Sequence, residues 1–147
     1  MSFKSHEIEF MKSADLARLA TIQPDGTLQN NPVGFSYNED LGTLDIHGYR
    51  MSKSRKFRNV VSNNTVALVI DDIVSRNPWR VRCLEIRGTA EPAESGERRT
   101  EPNDDGIDTA IIRITPRRII GFGIDATETE PHKLAADSRG DVPTTAD

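Results

Sequence analysis

Apolar residues change their spacing several times along this chain, and each change predicts an element. Ile8, Phe10, Met11 and Ala14 recur on neighbouring faces with Lys12 and Asp15 more polar, which predicts a helix over 7–18. Leu19 to Ile22 then reads as a first strand, closed by the turn Pro24-Asp25-Gly26. Val33, Phe35 and Tyr37 alternate with Gly34 and Ser36, residues 38–42 reverse the chain, and Leu44 and Ile46 alternate with Asp45 and His47. That period of two predicts a hairpin.

At Ser52 the period lengthens again. Phe57, Val60 and Val61 share one side of a predicted helix over 52–61, with Ser52 as N-cap and Arg55 and Arg58 pointing away. Asn63 and Asn64 end it, and the apolar run from Val66 to Ile70 is expected to be a central strand. Residues 71–77 read as a polar connection ending at Pro78. Leu84 and Ile86 then oppose Glu85 and Arg87, and Gly88 suggests a bend or bulge. The stretch 93–108 reads as a loop. The final element, 110–124, is expected to break at Thr115-Pro116, because proline offers no N–H to a ladder. From Ala126 onward the sequence is polar, so a cofactor-binding domain over 1–125 and a mobile tail over 126–147 are expected. Too few helices intervene for a doubly wound parallel sheet. The prediction is a mainly β, six-stranded barrel or barrel-like sheet with short flanking helices.

Composition narrows the partners. The 147 residues carry a formal net charge of -4, which works against a general nucleic-acid-coating role. Cys83 is the sole cysteine, so no intrachain disulfide framework exists. No stretch approaches the roughly 20 apolar residues of a membrane span, and no signal peptide is evident at the start. A cytoplasmic protein with no membrane partner is the expectation.

Within this acidic chain, Arg50, Lys53, Arg55, Lys56 and Arg58 crowd one short segment. Cationic side chains beside the unpaired N–H groups of a helix start suit a phosphate or a carboxylate; an ordinary solvated helix face has the same composition. Trp79, flanked by Arg76, Arg80 and Arg82, could floor a planar ligand, cap a subunit interface or simply pack. His6, His47 and His132 are scattered and have no metal-ligand spacing. His47 is out of phase with Leu44 and Ile46, where it could face a groove. No nucleophile and base stand at a recognisable spacing, so catalysis would fall to a bound cofactor.

Four ordered fragments carry a family resemblance: Leu19 through Val33 (LATIQPDGTLQNNPV), Lys56-Phe57-Arg58-Asn59, Asn77-Pro78-Trp79-Arg80 with Leu84 to Gly88, and Ile114 through Ile124 (ITPRRIIGFGI). Together they resemble the pyridoxamine 5'-phosphate oxidase-like (PPOX class) family of the FMN-binding split-barrel superfamily, and within it the small actinobacterial branch that uses coenzyme F420. The resemblance spans roughly 7–124. It implies a homodimeric split β-barrel with two cofactor clefts between subunits. Lys56, Arg58 and Asn59 would sit at the cofactor phosphate with Arg50, Ser52 and Arg55 beside them, although Arg58 and Asn59 could instead tie the helix to the sheet. Gln29, Asn31, Pro32 and Val33 would run beside the deazaflavin or flavin ring, and Trp79 and Arg80 would arrive from the partner chain. The implied activity is F420-dependent hydride transfer to a small electrophilic substrate, with no side chain evident as proton donor. The alternatives are an FMN-dependent oxidoreductase and a non-catalytic protein that binds flavin, F420 or haem.

Overall fold

A computed structural model describes residues 2–95, 109–125 and 136–140. Helix α1 spans Ser5–Ser13, followed by strands β1 (Leu16–Ile22), β2 (Leu28–Asn38) and β3 (Thr43–His47). A 3-10 turn, Met51–Lys53, leads into helix α2 (Arg55–Ser62). Then come β4 (Thr65–Arg76), β5 (Trp79–Glu94), β6 (Ala110–Phe122) and β7 (Asp137–Gly140).

The expected six-stranded split barrel is corrected by these strands. They form one seven-stranded antiparallel sheet in the order β3-β2-β1-β4-β5-β6-β7, with an additional pairing of β3 to β6. The seventh strand comes from a polar stretch that has no alternating pattern to announce it. It pairs with β6 from Gly121↔Asp137 to Arg118↔Gly140. Ion pairs anchor it: Arg139 binds the buried Glu7 carboxylate of α1, and Lys4 binds Asp137. The remainder of the expected tail, and most of the expected 93–108 loop, lie outside the described residues.

Three further boundaries differ from the sequence expectation. Helix α1 stops at Ser13 because Ala17 and Leu19 are needed on the core face of β1, alternating with exposed Leu16 and Arg18. The 71–77 segment is strand through Arg76, since every residue from Asp71 to Ile73 finds a partner on β5. Pro116 does not break β6, because it lies opposite Gly88 where the β5–β6 register shifts. A Cβ on Gly88 would stand 2.2 Å from the Thr115 carbonyl oxygen, so only glycine allows that approach.

The core is the inner surface of this curled sheet. Leu44, Ile46, Leu68, Ile70, Leu84, Ile86, Ile112, Ile114 and Ile119 are completely buried and contact Phe10, Met11 and Met51 in one cluster. Burying each such Leu or Ile contributes about 1.5–3 kcal/mol relative to leaving it in water. At the β3–β6 joint, Asp45 accepts from Arg113 Nε at 3.1 Å, from Thr43 at 3.0 Å and from Asn38 at 3.2 Å. Burial opposes its ionisation, but these three donors and the Arg113 charge outweigh it and hold the Asp45 carboxyl below its ordinary value. No described helix is long and apolar enough to cross a membrane.

Candidate functional site

The cationic segment folds into the approach to α2 and its first turns. Arg50 takes φ +47°, a left-handed conformation rare outside glycine, and starts the Met51–Lys53 turn that carries fully buried Met51 into the core. Ser54, not the expected Ser52, is the N-cap: its hydroxyl accepts from Phe57 N–H at 3.3 Å and donates to the Met51 carbonyl at 2.7 Å. The Arg55 and Lys56 N–H groups have no carbonyl inside the helix to donate to.

Helical spacing puts Lys56 on the same face as Asn59 and Val60, which are buried, while Arg55 and Arg58 are exposed. The Lys56 stem is therefore half-buried against the sheet, and desolvation lowers the pKa of its ammonium. No hydrogen bond or ion pair to a described residue compensates it. Arg50, Lys53 and Arg58 likewise lack an ion-pair partner among the described residues, and Arg55 donates to the neutral Gln23 Oε1 at 3.4 Å while lying close enough to Asp25 to favour its ionised form. Several cations elsewhere are matched with carboxylates, as in Arg18–Asp71, Arg82–Asp72 and Arg113–Asp45. A cluster of unmatched cations around helix-start N–H groups is chemically fitted to a multiply charged anion such as a phosphate ester.

Asn59 performs the tying role. Its Nδ2 donates to Thr21 Oγ1 at 3.0 Å and to Gln29 Oε1 at 3.1 Å, bridging α2 to β1 and β2. On β2 the other expected ring neighbours divide between faces. Val33 is buried in the core, Asn31 is exposed, and Pro32 is exposed opposite Arg18. Trp79, 54% exposed, and half-buried Arg80 sit at the β4–β5 hairpin. The 12-residue strand β4 separates that hairpin from the end of α2, so Trp79 and the α2 segment stand at opposite ends of β4 within one chain. Trp79 instead edges a cleft of about 610 Å³ with Arg18, Ile73, Cys83 and Phe122.

The remaining candidates have ordinary surroundings. His47 Nε2 is 2.9 Å from Ser36 Oγ across the β2–β3 ladder. Burial, with Asp71 and Glu85 nearby, pushes the Cys83 thiol up and away from the reactive thiolate. His132 lies outside the described residues. Sequence reasoning missed Thr21, whose only signal was its in-phase position with Ala17 and Leu19.

Comparison with known proteins decides the family. The family model for pyridoxamine 5'-phosphate oxidase matches residues 5–122. The chain belongs to the pyridoxamine 5'-phosphate oxidase-like family. The chain is similar to a 5a,11a-dehydrotetracycline/5a,11a-dehydrooxytetracycline reductase of Streptomyces rimosus, with 42% identity over 125 residues, covering 85% of this chain and 86% of that one. A solved F420 reductase is similar at 26% identity and TM-score 0.59, over 78% of this chain and 94% of its own. A pyridoxamine 5'-phosphate oxidase-related, FMN-binding protein of Nostoc punctiforme shares the fold at TM-score 0.61 and 14% identity, over 97% of this chain and 100% of its own. Family membership marks the chain as oxidoreductase-like with a fold that serves flavin-type cofactors.

Proposed function

We propose that this protein is a reductase that holds a phosphate-bearing deazaflavin, F420, against the start of α2 and passes a hydride to an electron-poor carbon of a small organic substrate. The observation that carries the proposal is Lys56: half-buried, desolvated and without a counter-charge among the described residues, beside helix-start N–H groups and other cations. The 26% identity to an F420 reductase supports the deazaflavin. The likeness to a dehydrotetracycline reductase supports a substrate whose C=C bond is conjugated to carbonyl groups.

The cofactor, when bound and reduced, supplies the hydride. The chain's own residues bind and orient: Lys56, Arg58 and Arg50 neutralise the phosphate, the Arg55 and Lys56 N–H groups and Ser52 add donors, and Asn59 fixes α2 to the strands that bear Gln29 and Asn31. Hydride addition to one alkene carbon leaves an enolate at the other, which takes its proton from solvent. Two subunits would complete each site, with Trp79 and Arg80 of the partner subunit closing over the ring. The exposure of Trp79, Leu16, Leu28 and Ile73 supports such a homodimer.

A second reading, an FMN-dependent oxidoreductase, is favoured by the family model itself and by the FMN-binding neighbour. A haem or flavin carrier without turnover is the third. Titration with F420, FMN and haem, each followed optically, separates them, and hydride transfer to an enone acceptor then tests catalysis. Lys56→Ala should weaken binding of the phosphate-bearing cofactor about tenfold or more while sparing a ring fragment that lacks phosphate. Equal weakening of both would show that Lys56 acts only through folding, and FMN binding without F420 binding would refute the deazaflavin.

A further inference from the structure

Strand β6 carries β5 along one edge and divides its other edge between two strands. Ile112 to Ile114 pair with β3, and Arg118 to Gly121 pair with β7. The β7 residues Asp137-Ser138-Arg139-Gly140 bring no large apolar side chain, and only Arg139 among them is not fully exposed. Apolar burial fixes β6 through Ile112, Ile114 and Ile119, but no β7 residue joins that core cluster. What holds β7 is a backbone ladder and contacts particular to each side chain, which is how an extended peptide binds to a sheet edge.

Each contact selects a residue type. The Arg139 guanidinium straddles the Glu7 carboxylate, with Nη1 donating to Oε2 at 3.1 Å and Nη2 to Oε1, and Nη2 also donates to the Ser2 carbonyl at 3.1 Å. Glu7 is 1% exposed and accepts the Lys4 N–H at 2.7 Å. A carboxylate so buried needs a counter-charge, and a planar fork of donors suits it better than a point charge. Lys4 Nζ binds Asp137, and Arg118 Nη1 donates to Ser138 Oγ at 2.7 Å. At Gly140 a Cβ would stand 2.6 Å from the Arg117 carbonyl oxygen, so a side chain there would push the strand off its edge. The groove thus reads Asp-x-Arg-Gly.

We propose that the 118–121 edge of β6, with Glu7 and Lys4, is a recognition groove for an extended Asp-x-Arg-Gly segment, and that β7 is its resident ligand, a strap that keeps out the same segment of a second copy of this chain. Release of the strap bares a strand edge, and the second copy's segment then pairs with it. Nothing in this depends on which cofactor the protein holds. The probe is a fluorescein-labelled peptide of residues 136–140 with blocked ends, titrated by anisotropy against the full chain. Wild type, with its groove filled, should bind it weakly. Arg139→Gln combined with Gly140→Val frees the strap and leaves Glu7, Lys4 and β6 intact, so the peptide should bind about tenfold more tightly or better. The same peptide carrying Arg139→Gln should lose about tenfold, as should the intact peptide against a triple variant that adds Glu7→Gln.

Equal binding to wild type and the released variant overturns the proposal, as does no binding to the released variant or equal affinity of the two peptides. Should the released variant not fold, amide hydrogen exchange on wild type decides. The amides of β7, and those of 118–121 that face it, should exchange about tenfold faster or more than those of 112–114 that face β3, because the strap opens locally. Equal protection of the two stretches would show that β7 parts from its edge only when the whole domain unfolds, and the groove would then be refuted.

Discussion

Asn59→Ala separates a residue that ties the helix down from one that touches a cofactor. The substitution removes two hydrogen bonds, to Thr21 Oγ1 at 3.0 Å and to Gln29 Oε1 at 3.1 Å. Each is worth about 1 kcal/mol net, and the two losses differ in aftermath. Gln29 is half-buried and can turn to water, whereas Thr21 is 1% exposed and keeps an unsatisfied hydroxyl, which costs about 1–3 kcal/mol. The sum is about 2–4 kcal/mol, a fall in Tm of roughly 10 °C for a domain of this size. Denaturant unfolding and thermal melts measure it directly. A companion, Thr21→Val, leaves Asn59 its bond to Gln29 but orphans one Nδ2–H of a side chain that is 2% exposed, so it should cost about 1–3 kcal/mol, and the double variant should be less than additive. If Asn59→Ala melted within about 0.5 kcal/mol of wild type yet lost cofactor affinity, the tying role would be refuted, since nothing in the folded chain would then depend on those bonds.

Two further predictions concern the sheet. Gly88→Ala forces a Cβ to 2.2 Å from the Thr115 carbonyl oxygen, so β5 and β6 must part or shift; we expect a loss of about 2–4 kcal/mol, read by denaturant titration. The depressed folded pKa of Asp45 means that its ion pair stabilises fully above the ordinary value of 3.8 and that this stability is lost as pH falls through the lower folded value. Asp45→Asn should therefore cost about 3 kcal/mol at neutral pH, because Arg113 loses its counter-charge, and should flatten the decline in stability below about pH 4 in a series of melts.

Local pattern alone located most strands, because alternation at Val33, Phe35 and Tyr37 or at Leu84 and Ile86 is written in neighbouring residues. It located the cationic approach to α2 and foresaw Gly88 as a bend, since glycine in a strand pattern has few other reasons to be there. The ordered motifs carried the family across nearly the whole span that the family model matches. What needed the tertiary structure were features whose cause lies far along the chain. The end of α1 is set by the demand of the β2 partner strand for Ala17 and Leu19, not by helix propensity. Strand β7 exists because Arg139 finds Glu7, 132 positions away, and no local signal records that pair. The family motif already set Lys56 ahead of its four cationic neighbours, but its physical distinction came from packing, which buries its stem beside Asn59. Composition lists five positive charges as equals, and burial decides which of them loses water.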